Sequence, residues 1–191
     1  NPEKGGAWDK KSLEVKKQTA LLYDYIDSLK NVIVKKADGK DGDVNNIEHQ
    51  DDLEAASYIM LSPAQKQGMK LRKGIDDYRN LIGSLMTDSI KRAAIENYLS
   101  TTIHSGNRTQ APSMWETTLF ENMPVIAAVT ILTKIQSDVR YAESEALHTL
   151  INNIDEGDVR VNQLNAFVIP NSKNIMRGGK YSANIVLAAI D

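Results

Sequence analysis

The chain has 191 residues, with 25 acidic and 23 basic side chains, a formal net charge of -2 at neutral pH and no cysteine. That balance, with a pI near 6.0, argues against a nucleic-acid binder, which needs a basic face. The missing cysteines exclude disulfides, thiolate catalysis and cysteine-ligated zinc, and the length allows one good-sized domain or one domain plus part of another.

Trp8 to Lys36 reads as a first helix. Val15, Thr19, Leu22, Ile26, Leu29 and Ile33 repeat at intervals of four and three while Lys, Gln and Asp fill the other positions. Lysines at 10, 11, 16, 17, 30, 35 and 36 make it basic, but a Lys-rich face is ordinarily a solvated one. Asp38-Gly39 stops the helix, and Asp38 to Asp52 reads as a long polar surface connection. Asp41, Asp43, Asn45 and Asp52 imitate the spaced oxygens of a calcium loop. Asn46 stands where such a loop needs Gly and Asp52 where it needs Glu, so calcium is not expected.

Asp52 to Leu61 is a short helix ended by Ser62-Pro63, which also start the next one as cap and first-turn proline. In that helix Leu71, Ile75, Tyr78, Ile82 and Leu85 again step by four and three. Thr87 or Asp88 caps a fourth helix to about Leu99, with Ile90, Ala94 and Tyr98 inward. Thr101 to Pro112 is a polar loop, and Ser113 caps a short helix carrying Trp115, Leu119 and Phe120.

The longest pattern runs from Pro124 to Ile154, where Ala128, Leu132, Ile135, Val139, Ala142, Ala146 and Leu150 form one apolar stripe. Asn122 is a candidate cap, Pro124 suits a first turn, and nothing breaks the helix before Gly157. At 1.5 Å per residue the rod reaches roughly 45 Å. The apolar run from Met123 to Leu132 stops at Lys134 and Gln136, well short of the roughly 20 residues a bilayer span needs. It reads as the buried centre of an antiparallel helical bundle.

After Gly157 the period changes. Val161 to Ile169 and Tyr181 to Ile190 are rich in Val, Ile, Tyr and Phe and read as two strands, punctuated by Pro170-Asn171-Ser172 and Gly178-Gly179. Two strands alone are marginal in water. They pair with further strands, pair with a second copy, or lie on the bundle. Exposed strand edges invite pairing with another chain, so Val161, Leu164, Phe167, Ile169, Tyr181, Ile185 and Leu187 form a candidate self-association segment. The chain opens Asn1-Pro2-Glu3-Lys4 and ends at Asp191 inside an apolar alternation. Both ends are expected to be cut, with any targeting segment removed.

Catalytic chemistry is scarce. Glu145-x-x-His148 matches half of the helical pairing used in di-iron bundles, but neither His49 nor His104 has a Glu three residues before it. The three histidines make no motif, and no phosphate-binding, dinucleotide or nucleophile-elbow signature occurs. Arg177-Gly178-Gly179-Lys180 reads as a turn feeding a strand rather than an anion site. Trp115, Phe120 and Met123 read as core packing rather than a ligand pocket. No catalytic residue, cofactor or metal is expected, which favours a structural or interaction role.

Trp115-Glu116, then Phe120-Glu121-Asn122-Met123-Pro124, Ala127-Ala128-Val129-Thr130, Lys134 to Arg140 and Ala142-Glu143 together resemble the signature of the GldM/PorM family. Phe167-Val168-Ile169-Pro170 and Arg177 to Tyr181 resemble the entry into that family's first β domain. The resemblance is strongest from Trp115 onward. It implies a periplasmic protein of the gliding-motility and type IX secretion machinery of Bacteroidetes, anchored in the inner membrane by a helix preceding Asn1. It also implies a homodimer with a helical first domain, here residues 1–157, followed by immunoglobulin-like β domains, of which residues 158–191 supply the first strands of a truncated sandwich. The implied partners are a GldL/PorL-type proton-driven motor protein in the inner membrane and GldK/GldN-type ring proteins at the outer membrane. In this reading the stripe of Leu132, Ile135, Val139, Ala142, Ala146 and Leu150 marks a rigid coupling helix, and Gly157-Asp158 is its hinge-risk position. The competing reading, from another class, is an extracytoplasmic sensor whose bundle closes around a small ligand.

Overall fold

A computed structural model of the chain describes residues 2–102, 114–157, 163–170, 178, 180 and 182–190. In order, these form helices α1 (Pro2–Asp38), α2 (Glu54–Leu61), α3 (Gln67–Leu85), α4 (Ser89–Tyr98), α5 (Trp115–Phe120) and α6 (Val125–Gly157), then strands β1 (Gln163–Pro170) and β2 (Ala183–Ile190). The chain divides into two compact units, Asn1–Asn152 and Asn153–Asp191. Mainly helical, with a long last helix followed by a short antiparallel sheet, the architecture is the one the periodicities predict. Among the described residues no helix is long and apolar enough to cross a membrane.

Cross-links fix the helix directions in the first unit. Going down α1 from Lys30 to Tyr23, the contacts on α6 run up from Gln136 to Arg140. Tyr25 and Thr19 of α1 likewise meet Gln67 and Tyr78 of α3. Thus α1 lies antiparallel to both α3 and α6. The three stripes converge on one core: Val15, Leu22, Ile26, Leu29 and Ile33 of α1, Leu71, Ile75, Tyr78 and Ile82 of α3, and the α6 stripe are all buried. Helix α1 begins at Pro2 rather than Trp8, well ahead of the apolar repeat that starts at Val15. A nucleated helix propagates by one hydrogen bond per residue without needing a buried stripe.

Three local expectations are corrected. Ser62-Pro63 does not start α3: the Ser62 carbonyl accepts from Gln65 N and Lys66 N, closing a separate turn. Lys66 then takes a left-handed conformation (φ 51°) and α3 begins at Gln67. Gly68 can then pass close under Met60 and Glu116, where a β-carbon would sit 2.9 Å from the Met60 carbonyl and 2.7 Å from Glu116 Cβ.

Helix α4 is capped by Asp88, which accepts from Ile90 N and Lys91 N, but its inward face is not Ile90, Ala94 and Tyr98. Ile90 is 80% exposed and Tyr98 is exposed, while Ile95 and Leu99 are buried. A ten-residue helix offers both faces. This one lets Arg92 donate to the Gly83 carbonyl and Arg79 to the Leu99 carbonyl, satisfying helix ends.

Asn122 does not cap α6. It adopts φ 50°, and its N–H donates to Ser57 Oγ (2.9 Å). The first α6 donors, Val125 N and Ile126 N, go instead to the backbone carbonyls of Asp52 and Gln50. The polar connection after α1 therefore serves as the cap of α6. Ser113 and most of the 101–112 loop lie outside the described residues.

In the second unit β1 and β2 pair antiparallel, Leu164 opposite Ala189, Phe167 opposite Val186, Val168 opposite Ile185 and Ile169 opposite Asn184. Val168, Ile169, Ile185 and Val186 are exposed.

Candidate functional site

The stripe of α6 is buried from end to end, through Ala128, Leu132, Ile135, Val139, Ala142, Ala146 and Leu150. Burial alone would make this an ordinary core helix. What distinguishes it is a set of polar groups set into the same seam. Lys30 of α1 and Gln136 of α6 are only 8% and 3% exposed. The Lys30 ammonium donates to Gln136 Oε1 at 2.7 Å and pairs with Asp27 at 3.0 Å. The Gln136 amide in turn donates to the Tyr23 carbonyl at 3.0 Å. Ammonium and amide are thus satisfied across the α1–α6 seam, as buried polar groups must be.

About one turn along, Tyr78 of α3 joins all three helices: its hydroxyl lies 2.8 Å from Thr19 Oγ1 and donates to the Val139 carbonyl at 3.3 Å. Burial is the main cause that pushes its phenol up to about 12. Arg140 stacks over Tyr23 at 4.5 Å. Further along, Lys91 of α4 binds Glu145 of α6 at 3.0 Å, and this bond raises the Lys91 ammonium above its ordinary value. The same pairing occupies half of the Glu145/His148 motif. Glu145 is engaged by Lys91 and His148 is exposed, and no group of three potential ligands gathers among the described residues.

The acidic loop is likewise used by the fold. Asp38 accepts from Glu48 N, His49 N and His49 Nδ1, and the Glu48 backbone bond is the largest cause holding its carboxyl below the ordinary range. Asp43 accepts from Asn45, and Asp52 caps α2 through Glu54 N and Ala55 N. Trp115 and Phe120 pack edge to face at 6.2 Å, with Met123 against the same core.

Sequence reasoning missed Lys30, Gln136 and Glu116. The first two each lie beside a stripe residue, Leu29 or Ile135; the signal was a polar residue flanking each of two facing stripes. Glu116 left no signal. It is 2% exposed, accepts no hydrogen bond, and has Arg72 Nη1 3.3 Å from Oε2.

Of the candidate self-association residues, Leu164, Phe167 and Ile169 lie in β1 and Ile185 and Leu187 in β2; Val161 and Tyr181 lie outside the described residues, as do Arg177 and Gly179 of the proposed turn, whose Gly178 has φ 92°. The ligand-sensor reading expects a closed pocket, whereas the concavity between α1 and α3 is an open groove in which Leu21 is more than half exposed.

Comparison with curated proteins finds no match. Comparison with protein families finds two, in series: residues 1–153 match the GldM N-terminal domain and residues 155–191 the GldM second domain. Nearly every residue is thus accounted for in one family's domain order, and the chain belongs to the GldM family, structural components of gliding motility and type IX secretion.

Proposed function

We propose that this chain is the dimeric, energy-transducing shaft segment of the type IX secretion and gliding machinery. It works in the periplasm and couples a GldL/PorL-type inner-membrane motor to a GldK/GldN-type outer-membrane ring. The full-length protein is anchored in the inner membrane, and its division of labour falls at Gly157, with residues 1–157 as the bundle and 158–191 as the opening of an immunoglobulin-like β domain.

The observation that carries the reading is α6. It is a single 33-residue helix, roughly 50 Å long, whose stripe of Leu132, Ile135, Val139, Ala142, Ala146 and Leu150 stays buried throughout. A transmitting element must resist bending, and a helix packed along its length bends only if the packing breaks. Self-association is assigned to Val161, Leu164, Phe167, Ile169, Tyr181, Ile185 and Leu187. The directly opposed Val168 and Ile185 support this, since both are exposed on a two-stranded sheet that is marginal by itself.

The test is a flexible Gly/Ser insertion between Gly157 and Asp158 of the protein in its host. Secretion and gliding are expected to stop while the purified variant keeps its helical signal and melting temperature. Normal secretion with the insertion in place refutes rigid coupling.

A further inference from the structure

Helix α3 carries two glycines with room for a β-carbon, Gly74 and Gly83, and of the two Gly74 lines a groove. Gly74 stands in the interior of the helix, where Gly is disfavoured relative to Ala. It has no left-handed backbone angle, and a β-carbon there would make only an ordinary contact, 3.4 Å from Leu22 Cδ1. Gly68 in the same helix is different, since neighbouring atoms leave no room for a side chain. The missing side chain at Gly74 opens the groove between α1 and α3. Leu22 and Tyr78 form its floor, and exposed Leu21 and half-buried Leu81 form its walls. Glu14 and Asp77 also line it, and neither carboxylate forms an ion pair among the described residues.

From this combination we infer that the α1–α3 groove is a docking site for an amphipathic helix of a partner protein, one presenting an apolar side chain over Gly74 and Lys or Arg to Glu14 and Asp77. The groove runs along α1 from Glu14 to Tyr25, three turns or about 16 Å, which suits a helix laid along it. A small ligand would be left open to water along one side, whereas small-molecule sites enclose most of their ligand. Two unneutralised carboxylates beside an apolar floor select a basic helix and repel an acidic one. The groove is lined by residues of α1 and α3 alone, so docking there can hold or fail without the coupling reading.

The test replaces Leu21 with a photo-crosslinking residue in the full-length protein in its host and maps any product by mass spectrometry, in four backgrounds. The expected product joins Leu21 to a segment of another protein with apolar residues at helical spacing flanked by Lys or Arg. It disappears in Gly74→Leu, which fills the floor, and falls at least tenfold in Glu14→Lys/Asp77→Lys. Gly74→Ala is expected to weaken the product while raising the melting temperature by a few degrees, a separation that loss of folding cannot mimic. A crosslink to a second copy of this chain, a mapped segment without basic residues, a product insensitive to Gly74→Leu, or no product at all would each overturn the proposal.

Discussion

Gly68 offers the sharpest check on the packing of α3 against α2 and α5, because the same substitution elsewhere in α3 should have the opposite sign. Gly→Ala in a helix ordinarily stabilises by up to about 1 kcal/mol. At Gly83 the nearest atom to an added β-carbon is Glu96 Oε1 at 3.8 Å, the end of a flexible side chain, so Gly83→Ala should show most of that gain. At Gly68 the added carbon meets Glu116 Cβ at 2.7 Å and the Met60 carbonyl at 2.9 Å. One is the fixed base of a buried side chain and the other is backbone, so α2, α3 or α5 must shift. Overpacking of this kind costs about 1–3 kcal/mol. The propensity gain is small at a position one residue into the helix, which leaves a net loss of about 1–2 kcal/mol. For a unit of this size that lowers Tm by roughly 2–8 °C. The assay is thermal unfolding followed by helical circular dichroism, with urea unfolding as a check on free energy. Should Gly68→Ala prove as stable as Gly83→Ala, the close approach of α3 to α2 and α5 is wrong.

Ile95→Ala should cost about 2–4 kcal/mol and Ile90→Ala less than about 0.5, measured by urea unfolding; the reverse order would restore the face of α4 predicted from periodicity. Gln136→Ala leaves the buried Lys30 ammonium with Asp27 as its one remaining partner among the described residues and should cost about 1–3 kcal/mol, whereas Lys30→Met and Gln136→Met together should be close to neutral, a non-additivity that a double-mutant cycle reads directly. The carboxyl of Asp38 is held below its ordinary value of 3.8, so its stabilising contribution is present above that pH and disappears as pH falls through the lowered value. The stability difference between wild type and Asp38→Asn should therefore shrink in acid, and a difference independent of pH would refute the loop anchoring. Tyr78, raised from 10.0 to about 12, contributes stability below pH 10 that is lost as pH rises through about 12. Ultraviolet titration should show a late-ionising phenol that is missing in Tyr78→Phe.

The stripes were legible because burial in a bundle imposes a period that sequence displays directly. Val15 to Ile33, Leu71 to Ile82 and Ala128 to Leu150 needed no knowledge of their partners. Helix ends were harder, because their backbone groups are satisfied by whichever group is nearest in space. Val125 N and Ile126 N are bonded by the carbonyls of Asp52 and Gln50, more than seventy residues away in the chain, so Asn122 was the natural local candidate and the wrong one. Helix α4 failed for a related reason. In ten residues two apolar faces competed, and the one buried, with Ile95 and Leu99, goes with Arg79 and Arg92 bonded to the carbonyls of Leu99 and Gly83. Glu116 was illegible altogether, since its burial depends on Gly68 of a different helix passing within contact of it.

The apolar stripe and the polar seam divide the work on α6 between them. A repeat of three and four residues is nearly self-similar after one turn, so Leu132, Ile135, Val139 and Ala142 shifted by a turn would still meet an apolar face of α1. The stripe supplies most of the association energy but discriminates poorly between registers. Lys30, Gln136 and the Tyr23 carbonyl do the opposite. Their net contribution to stability is small against an apolar replacement, yet a slipped register separates Gln136 from both Lys30 and the Tyr23 carbonyl and leaves the ammonium with Asp27 alone, and a buried amide without its partners costs about 1–3 kcal/mol. Single polar residues at helix interfaces set register in coiled coils on the same grounds. A helix that serves only to fill a core has no need of that discrimination, whereas one that hands a displacement from one end to the other loses whatever fraction of the stroke is absorbed by slip.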